Sequence, residues 1–479
     1  MRRFIKILPI GIAASLTSAG QTTDIKPNIL WIIADDLGTD LACYGNKAVS
    51  TPNTDRLAEE GITYTNFFTV VPVSSPSRSC LITGMYPVSI DCHQHRTLRK
   101  NLLPEGVLPI TEYFRKAGYW VCNGNGTNMG KQGKTDFNFD FGKKQLFDGP
   151  DWKGKKPGQP FFAQMQIHYP HRPFEKDTLH AVDRNKVQIH PAYPDHPLTR
   201  EDFAEYLESV QLVDYHVGRI LARLEEEGIL GNTIIMFFGD QGRPMVRAKQ
   251  FLYDEGIHAP LIVRFPDKRK ENTVNDNLIS IVDIPATTLA LAGIELPQNL
   301  QGQNFYSGKQ REHVFITRDR MDETVDRMRA VRTKKFKYIR NYYPELPYNQ
   351  FNTYKVTMYP VLTLMKVMQV KGQLTPEQSV FMSSQKKPEE LYDLIKDPFE
   401  LHNIAEERKY SKQLRELRTL LNDWVSINDK GVYPENSEET GYWKQDAGQA
   451  YVKAMKSYGL DPGISDETFL DWWIRRLIK

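Results

Sequence analysis

Two short apolar runs, each closed by acid, constrain this chain more than anything else in it. Asn28-Ile29-Leu30-Trp31-Ile32-Ile33-Ala34 ends at Asp35-Asp36, and Thr233-Ile234-Ile235-Met236-Phe237-Phe238-Gly239 ends at Asp240. Short runs of this kind, closed by polar residues, are the pattern of strands buried on both faces of a parallel sheet. A third run, Phe161 to Ile167, closes on His168. In open α/β sheets ligands gather just beyond the carboxyl ends of the strands. Two acidic sites delivered to that edge can hold a hard divalent cation. Between them in sequence lies Val73-Ser74-Ser75-Pro76-Ser77-Arg78, a turn able to supply a nucleophile and an anion clamp.

The rest of residues 27 to about 340 alternates strands and helices. Thr199-Arg200-Glu201-Asp202 is expected to cap a helix that runs through Phe203, Leu207, Val210, Val217, Leu221 and Leu224 and stops at Gly228. A strand follows at once, as a βαβ unit requires. Asp183 to Pro197 is expected to be a loop over the sheet edge. From about Arg332 the character changes. Lys335 to Arg340 alternates as an antiparallel strand does, and Leu391 to Leu394 is a second short strand. The interval Asn341 to Pro388 is long, aromatic and basic. The tail Trp443 to Lys479 reads as helical in part, with no chemical signal. The division expected is a leader at 1–20, a catalytic α/β domain at 27–340 and a C-terminal subdomain at 341–479.

The leader expectation rests on Arg2, Arg3 and Lys6, the apolar stretch Ile7 to Leu16, and the small residues Thr17 to Gly20. That is the composition of a secretory signal peptide, too short in its apolar part to span a bilayer. It predicts an exported protein, periplasmic or secreted, without a membrane span. Formal net charge is +3, and the leader's three cations account for all of it. Bulk charge therefore gives no support for nucleic-acid binding. Four cysteines, Cys43, Cys80, Cys92 and Cys122, are too few for a disulfide framework and lack Cys-x-x-Cys spacing.

The Ser74 block resembles the type I sulfatases of the alkaline phosphatase superfamily. Their signature is Cys/Ser-x-Pro-Ser/Ala-Arg followed shortly by Thr-Gly, and this chain carries Ser74-Ser75-Pro76-Ser77-Arg78 and then Thr83-Gly84. The resemblance extends over Asn28 to Asp36, Thr51 to Ala58 and Glu390 to Asn403, and so over nearly the whole chain after residue 26. It implies an alkaline-phosphatase-like fold: a mixed, mostly parallel sheet between helices, with a smaller C-terminal α+β subdomain whose inserts help wall the pocket. It implies an exported sulfatase hydrolysing sulfate esters, or an N-sulfate, of a sulfated polysaccharide or oligosaccharide.

The site residues follow as what the resemblance implies. Asp35, Asp36, Asp240 and Gln241 would hold Ca²⁺ together with residue 74. The family usually has Asn or His where Gln241 stands, but an amide oxygen is still a hard donor. Ser74 would be oxidised to formylglycine (3-oxoalanine) by a serine-type radical maturating enzyme. Its hydrate would attack sulfur through one oxygen and expel sulfate through the other, with Arg78 offsetting the negative charge. Lys134 matches the lysine of the family's Gly-Lys-x-His, with Lys131 as the alternative. The histidine is replaced by Asp136, which leaves the base for sulfate release open between Asp136 and His93. His168 matches the histidine that contacts sulfate and protonates the leaving oxygen, and Lys249 matches the second sulfate-binding cation.

Ile90 to Arg96, Gly242-Arg243-Pro244-Met245 and the long insert resemble a sulfamidase-like branch. On that basis His93, His95, Arg96, His171, Arg172, Arg243 and Arg247 are the expected substrate-binding set, a cationic rim for a carboxylate or second sulfate. His93 and His95 lack a nearby third ligand, which argues against zinc. Aromatic residues of 341–359 are expected to stack on sugar. Two rivals remain open on sequence. One is a phosphonate or phosphodiester hydrolase of the same superfamily; the other is a glycan-binding pseudo-sulfatase with unmodified Ser74.

Overall fold

The computed structural model describes residues 26–142 and 145–478; the expected leader lies outside the described residues. The larger sheet is built from β1 (Asn28–Ala34), β2 (Gly61–Phe68), β3 (Trp120–Asn125), β4 (Phe161–Ile167), β5 (Thr233–Gly239), β6 (His258–Arg264), β7 (Thr273–Asn275) and β8 (Ile279–Ser280). Its order is β3-β4-β1-β5-β6-β2-β7, with β8 beside β2. β3, β4, β1 and β5 run parallel; β6 runs antiparallel to both β5 and β2. The sheet is thus mixed and mostly parallel, as expected.

Period-two geometry explains why β1 is apolar throughout. Leu30, Ile32 and Ala34 enter one hydrophobic core, while Ile29, Trp31 and Ile33 enter the other. Trp31 packs edge-to-face on Phe162 and Phe238, and its indole N–H donates to Thr288 Oγ1 at 3.1 Å. Helices cover both faces, among them α1 (Pro52–Glu59), α2 (Ser74–Thr83), α3 (Ile110–Lys116), α4 (Pro197–Glu226), the single turn α5 (Asp254–Ile257) and α6 (Asp283–Leu291).

Helix α4 begins two residues before Thr199. Pro197 occupies its first position and His196 caps it, the ring Nδ1 accepting from Leu198 N at 3.1 Å. Proline's fixed φ suits a first helical turn, so the start shifts to Pro197 and Thr199 is buried inside the helix. The C-terminal end falls as expected, with Gly228 at φ +66°.

A second, antiparallel sheet has the order β12-β11-β10-β9, from β9 (His313–Arg318), β10 (Met328–Thr333), β11 (Phe336–Asn341) and β12 (Glu389–Asp393). It begins well before residue 341, so a boundary at 340/341 cuts through it. The reason is that β9 carries Val314, Phe315 and Ile316, which read like one more strand of the catalytic core. The expected insert folds as α7 (Thr353–Met358), α8 (Pro360–Val370) and α9 (Pro376–Phe381). It is followed by α10 (Ser411–Asn428), α11 (Ser437–Ser457) and α12 (Asp466–Leu477). Helix α11 packs on α7, and α12 packs on α8. Among the described residues no helix is long and apolar enough to cross a membrane. All four cysteines are free.

Candidate active site

Because β1, β4 and β5 run parallel and in register, Asp35-Asp36, His168 and Asp240 emerge at one edge of the sheet. Close approach there needs a glycine: a Cβ on Gly239 would sit 2.5 Å from the Leu37 carbonyl oxygen. Asp36 adopts φ +65°, a conformation rare outside glycine, and its N–H donates to Asp240 Oδ1 at 3.0 Å. Asp35, Asp36 and Asp240 are fully buried, and ligand atoms from all three lie within 4.8 Å of one another.

Ser74 opens α2, and its Oγ donates to Asp35 Oδ1 at 3.0 Å. Arg78, one turn along the same helix, lies 3.3 Å from Asp35 Oδ1 and 3.0 Å from Asp240 Oδ2. It also donates to Gln166 Oε1 at 2.6 Å. Lys134 Nζ reaches Asp35 Oδ2 at 2.7 Å, and Lys249 Nζ reaches Asp36 Oδ2 at 2.6 Å. Gly133 lets the Lys134 loop lie against β3, since a Cβ there would stand 2.3 Å from the Gly124 carbonyl oxygen. Lys131, the alternative lysine, is exposed and does not line the cavity. Lys134→Ala is therefore expected to lower kcat by ~10²-fold or more, with Lys131→Ala near wild type, when sulfate release is measured at saturating substrate.

These partners set the electrostatics. Burial would raise the Asp35 carboxyl, but Lys134, Arg78 and His171 outweigh it and hold it well below the usual range. Burial also opposes charge on Asp36, and chiefly Lys249 holds its carboxyl below the ordinary value. Burial would lower the Lys249 ammonium, yet Asp36 more than offsets that and keeps it charged. Burial pushes Asp240 up to about 7, with Arg78 opposing it incompletely.

The donor set suits a hard divalent cation. Three buried carboxylates meet the amide of Gln241, which donates to Asp36 Oδ1 while its own Oε1 is buried without a hydrogen-bond partner. All four groups offer oxygen, the donor that Ca²⁺ and Mg²⁺ prefer.

A cavity of about 420 Å³ opens on this cluster. Ser74, His95, Arg96, Lys134, His171 and Lys249 line it, as do Tyr354 of α7 and Trp443 and Asp446 of α11. His168 stands at the edge of the cluster, its Nδ1 3.9 Å from Asp35 Oδ2, with most of its side chain exposed. It stacks on His171, whose Nε2 is 3.9 Å from Asp36 Oδ2.

The rest of the expected substrate set is not brought to the cavity. Arg172 is buried, bidentate with Asp202 at 2.6 Å on both oxygens, and sandwiched by Phe174 and Tyr359. Arg247 is buried, donates to the carbonyl oxygens of Phe399 and Glu400, and lies on the Tyr253 ring. Arg243 is forked onto Asp40 at 2.6 and 2.7 Å. His93 is buried beside Asp91 and Tyr433. Buried guanidinium groups need counter-charge, and internal acids and carbonyls supply it here. Arg172→Ala should thus act on stability, costing about 3–5 kcal/mol by leaving Asp202 buried and unpaired. Thermal unfolding checks this, and an unchanged melting temperature with a raised KM would restore the rim assignment.

Asp136 is also committed, forked onto Arg96 at 3.2 Å twice. Burial would raise its carboxyl, but Arg96 holds it below the usual range. Tyr354 falls in the aromatic stretch expected to stack on sugar and does line the cavity, whereas the placements of Trp443, Asp446 and Asp322 had no motif to announce them.

Residues 27–294 match the family described as Sulfatase, and residues 246–361 the one described as N-sulphoglucosamine sulphohydrolase, C-terminal. An ulvan-active sulfatase of Formosa agariphila is 32% identical over 473 residues, covering 87% of this chain and 78% of that one. The human N-sulphoglucosamine sulphohydrolase is 26% identical over 460 residues, covering 83% of this chain and 89% of that one. Among solved structures, a complex with its substrate D-glucosamine-2-N,6-O-disulfate aligns with TM-score 0.61 at 20% identity, over 85% of this chain and 100% of that one. With the family match spanning more than half its length, the chain belongs to the sulfatases, enzymes that hydrolyse sulfate esters.

Proposed function

We propose that this sulfatase is an exported enzyme that removes sulfate from a sulfated glycan, with formylglycine at position 74 and Ca²⁺ held by Asp35, Asp36, Asp240 and Gln241. The observation that carries the reading is the hydrogen bond from Ser74, on the cavity wall, to Asp35, in an acidic cluster whose paired cations are Arg78, Lys134 and Lys249. A bound divalent cation would supply positive charge beside residue 74, and the aldehyde oxidation level at that residue would supply the nucleophile. The remaining work falls to side chains. Arg78, fixed by Gln166 and Asp240, keeps positive charge next to residue 74. Lys134 and Lys249 bracket the sulfate. His168, at the edge of the acidic cluster with most of its side chain exposed, gives a proton to the leaving alcohol oxygen as the S–O bond breaks. His171, which lines the cavity with Ser74, takes the place of the missing family histidine as proton acceptor, since Asp136 is forked onto Arg96 and His93 does not line the cavity.

The fold of relatives that act on ulvan or on N-sulphoglucosamine supports a carbohydrate substrate, and the family's motif supports a serine-type maturating enzyme as partner. The test is sulfate release by protein co-produced with such a maturase, from sulfated oligosaccharides against a phosphonate ester and a phosphodiester. Preferential turnover of the sulfated glycans is expected. Faster turnover of the phosphorus esters would overturn the reading in favour of the first rival.

A further inference from the structure

Resting on that reading, we infer that α11 builds the subsite for the sugar, with Trp443 and Asp446 as specificity-determining residues. The subsite takes a sugar bearing one sulfate and otherwise hydroxyls or an amine, in preference to one bearing a second sulfate or a carboxylate.

Helix α11 (Ser437–Ser457) lies beyond both stretches matched to family descriptions, yet it furnishes a wall of the cavity that contains Ser74. Trp443, Ala447, Ala450 and Ala454 recur at helical spacing and present one face to it. The alanines leave room, and the indole offers a flat apolar surface of the kind that packs on a sugar's C–H face.

The wall is fixed rather than loosely apposed. The buried Arg320 donates to Glu435 at 2.7 Å and Glu439 at 3.3 Å, both next to or on α11. It also donates to the carbonyl oxygens of Arg96 at 2.8 Å and Asp322 at 2.9 Å. Its guanidinium lies 5.3 Å from the Trp443 ring centre, and Trp443 Nε1 donates to Glu439 at 2.7 Å. Thr353 of α7 donates to the Ala447 carbonyl oxygen at 2.9 Å. One arginine thus ties together the segments carrying Arg96, Asp322 and Trp443.

The charge on this wall is negative. Arg96 is neutralised by Asp136. Asp322 makes its one ion-pair contact among the described residues with His95, 3.5 Å away, and burial holds that imidazole neutral; Arg96, already forked onto Asp136, acts on Asp322 only at longer range. Glu323 spends its carboxylate on Thr353 N and Asn352. The Asp446 side chain is exposed and makes no hydrogen bond or ion pair among the described residues. A second sulfate or a carboxylate here would face like charge, whereas a hydroxyl or an ammonium can donate to these oxygens.

The experiment uses the full chain, matured and loaded with Ca²⁺, on a panel of glucosamines carrying one sulfate (N, 3-O or 6-O) and their disulfated counterparts. Wild type is expected to favour its best monosulfated sugar over the disulfated one by ~10-fold or more in kcat/KM. Asp446→Asn should narrow that ratio ~5-fold by improving the disulfated substrate. Trp443→Ala should raise KM ~10-fold with kcat little changed, and Trp443→Phe should recover most of it. Melting temperatures near wild type establish that the variants fold. A preference for the disulfated sugar, or variants whose KM and ratio stay within twofold of wild type while sulfate is still released, would overturn the subsite and leave the desulfation reading standing. No release from any sulfated sugar would overturn both.

Discussion

Ser74→Ala protein is expected to fold, bind calcium and release no sulfate, with turnover down by at least ~10⁴-fold. The substitution removes one oxygen from a residue that is 3% exposed and stands at the first position of α2, where alanine is well tolerated. The local loss is one hydrogen bond to Asp35, so the melting temperature should move by only a few degrees. Chemistry should vanish because no other group on the cavity wall can take the nucleophile's place beside Asp35. Ser75→Ala is the matched control. Ser75 Oγ is buried without a hydrogen-bond partner, and its removal should leave turnover near wild type. Continuous sulfate detection with purified, co-matured proteins reads all three.

Asp35→Ala should be nearly as severe and should strip metal as well. This carboxylate receives Ser74, Arg78 and Lys134, and His168 stands close by. Without it Lys134 loses its carboxylate partner and Arg78 keeps only Asp240, so uncompensated positive charge opposes a divalent cation and residue 74 loses its anchor. Calcium per chain should fall well below one by elemental analysis, and kcat should drop by ~10³-fold or more. Asp240→Ala should act in the same direction, and Gln241→Ala more mildly, because a neutral donor contributes less to a cation's binding than a carboxylate. Treating wild type with a chelator should silence it, and added Ca²⁺ should restore it. Unchanged calcium content in Asp35→Ala would contradict the metal assignment.

The centre of the site was legible because its residues sit where the fold puts ligands whatever the rest of the chain does. A strand buried on both faces must be apolar, so the acid that ends it marks the sheet edge, as Asp35 and Asp240 do. The periphery was not legible. Arg172 looks from its neighbours like a rim cation, but its partner Asp202 lies 30 residues away, that of Arg243 203 residues away, and that of Arg247 153 residues away. Nothing local distinguishes an arginine that awaits substrate from one already paired across the fold. Likewise α11 is polar enough to read as an ordinary surface helix, and only the folded chain, through its packing on α7 and the Arg320 contacts, places Trp443 on the cavity wall. The small sheet's first strand was missed for the opposite reason: the apolar run Val314-Phe315-Ile316 of β9 reads like one more strand of the catalytic core.

The central claim is the identity of residue 74, and the most direct measurement is the mass of the peptide carrying it. Protein co-produced with a serine-type maturase and exported should yield a peptide about two mass units lighter than the serine form, together with its hydrate, because oxidation of the alcohol to the aldehyde removes two hydrogens. The lighter fraction should rise in proportion to specific activity. An unmodified serine peptide in fully active protein would contradict the account, and an unmodified peptide in inactive, glycan-binding protein would favour the pseudo-sulfatase.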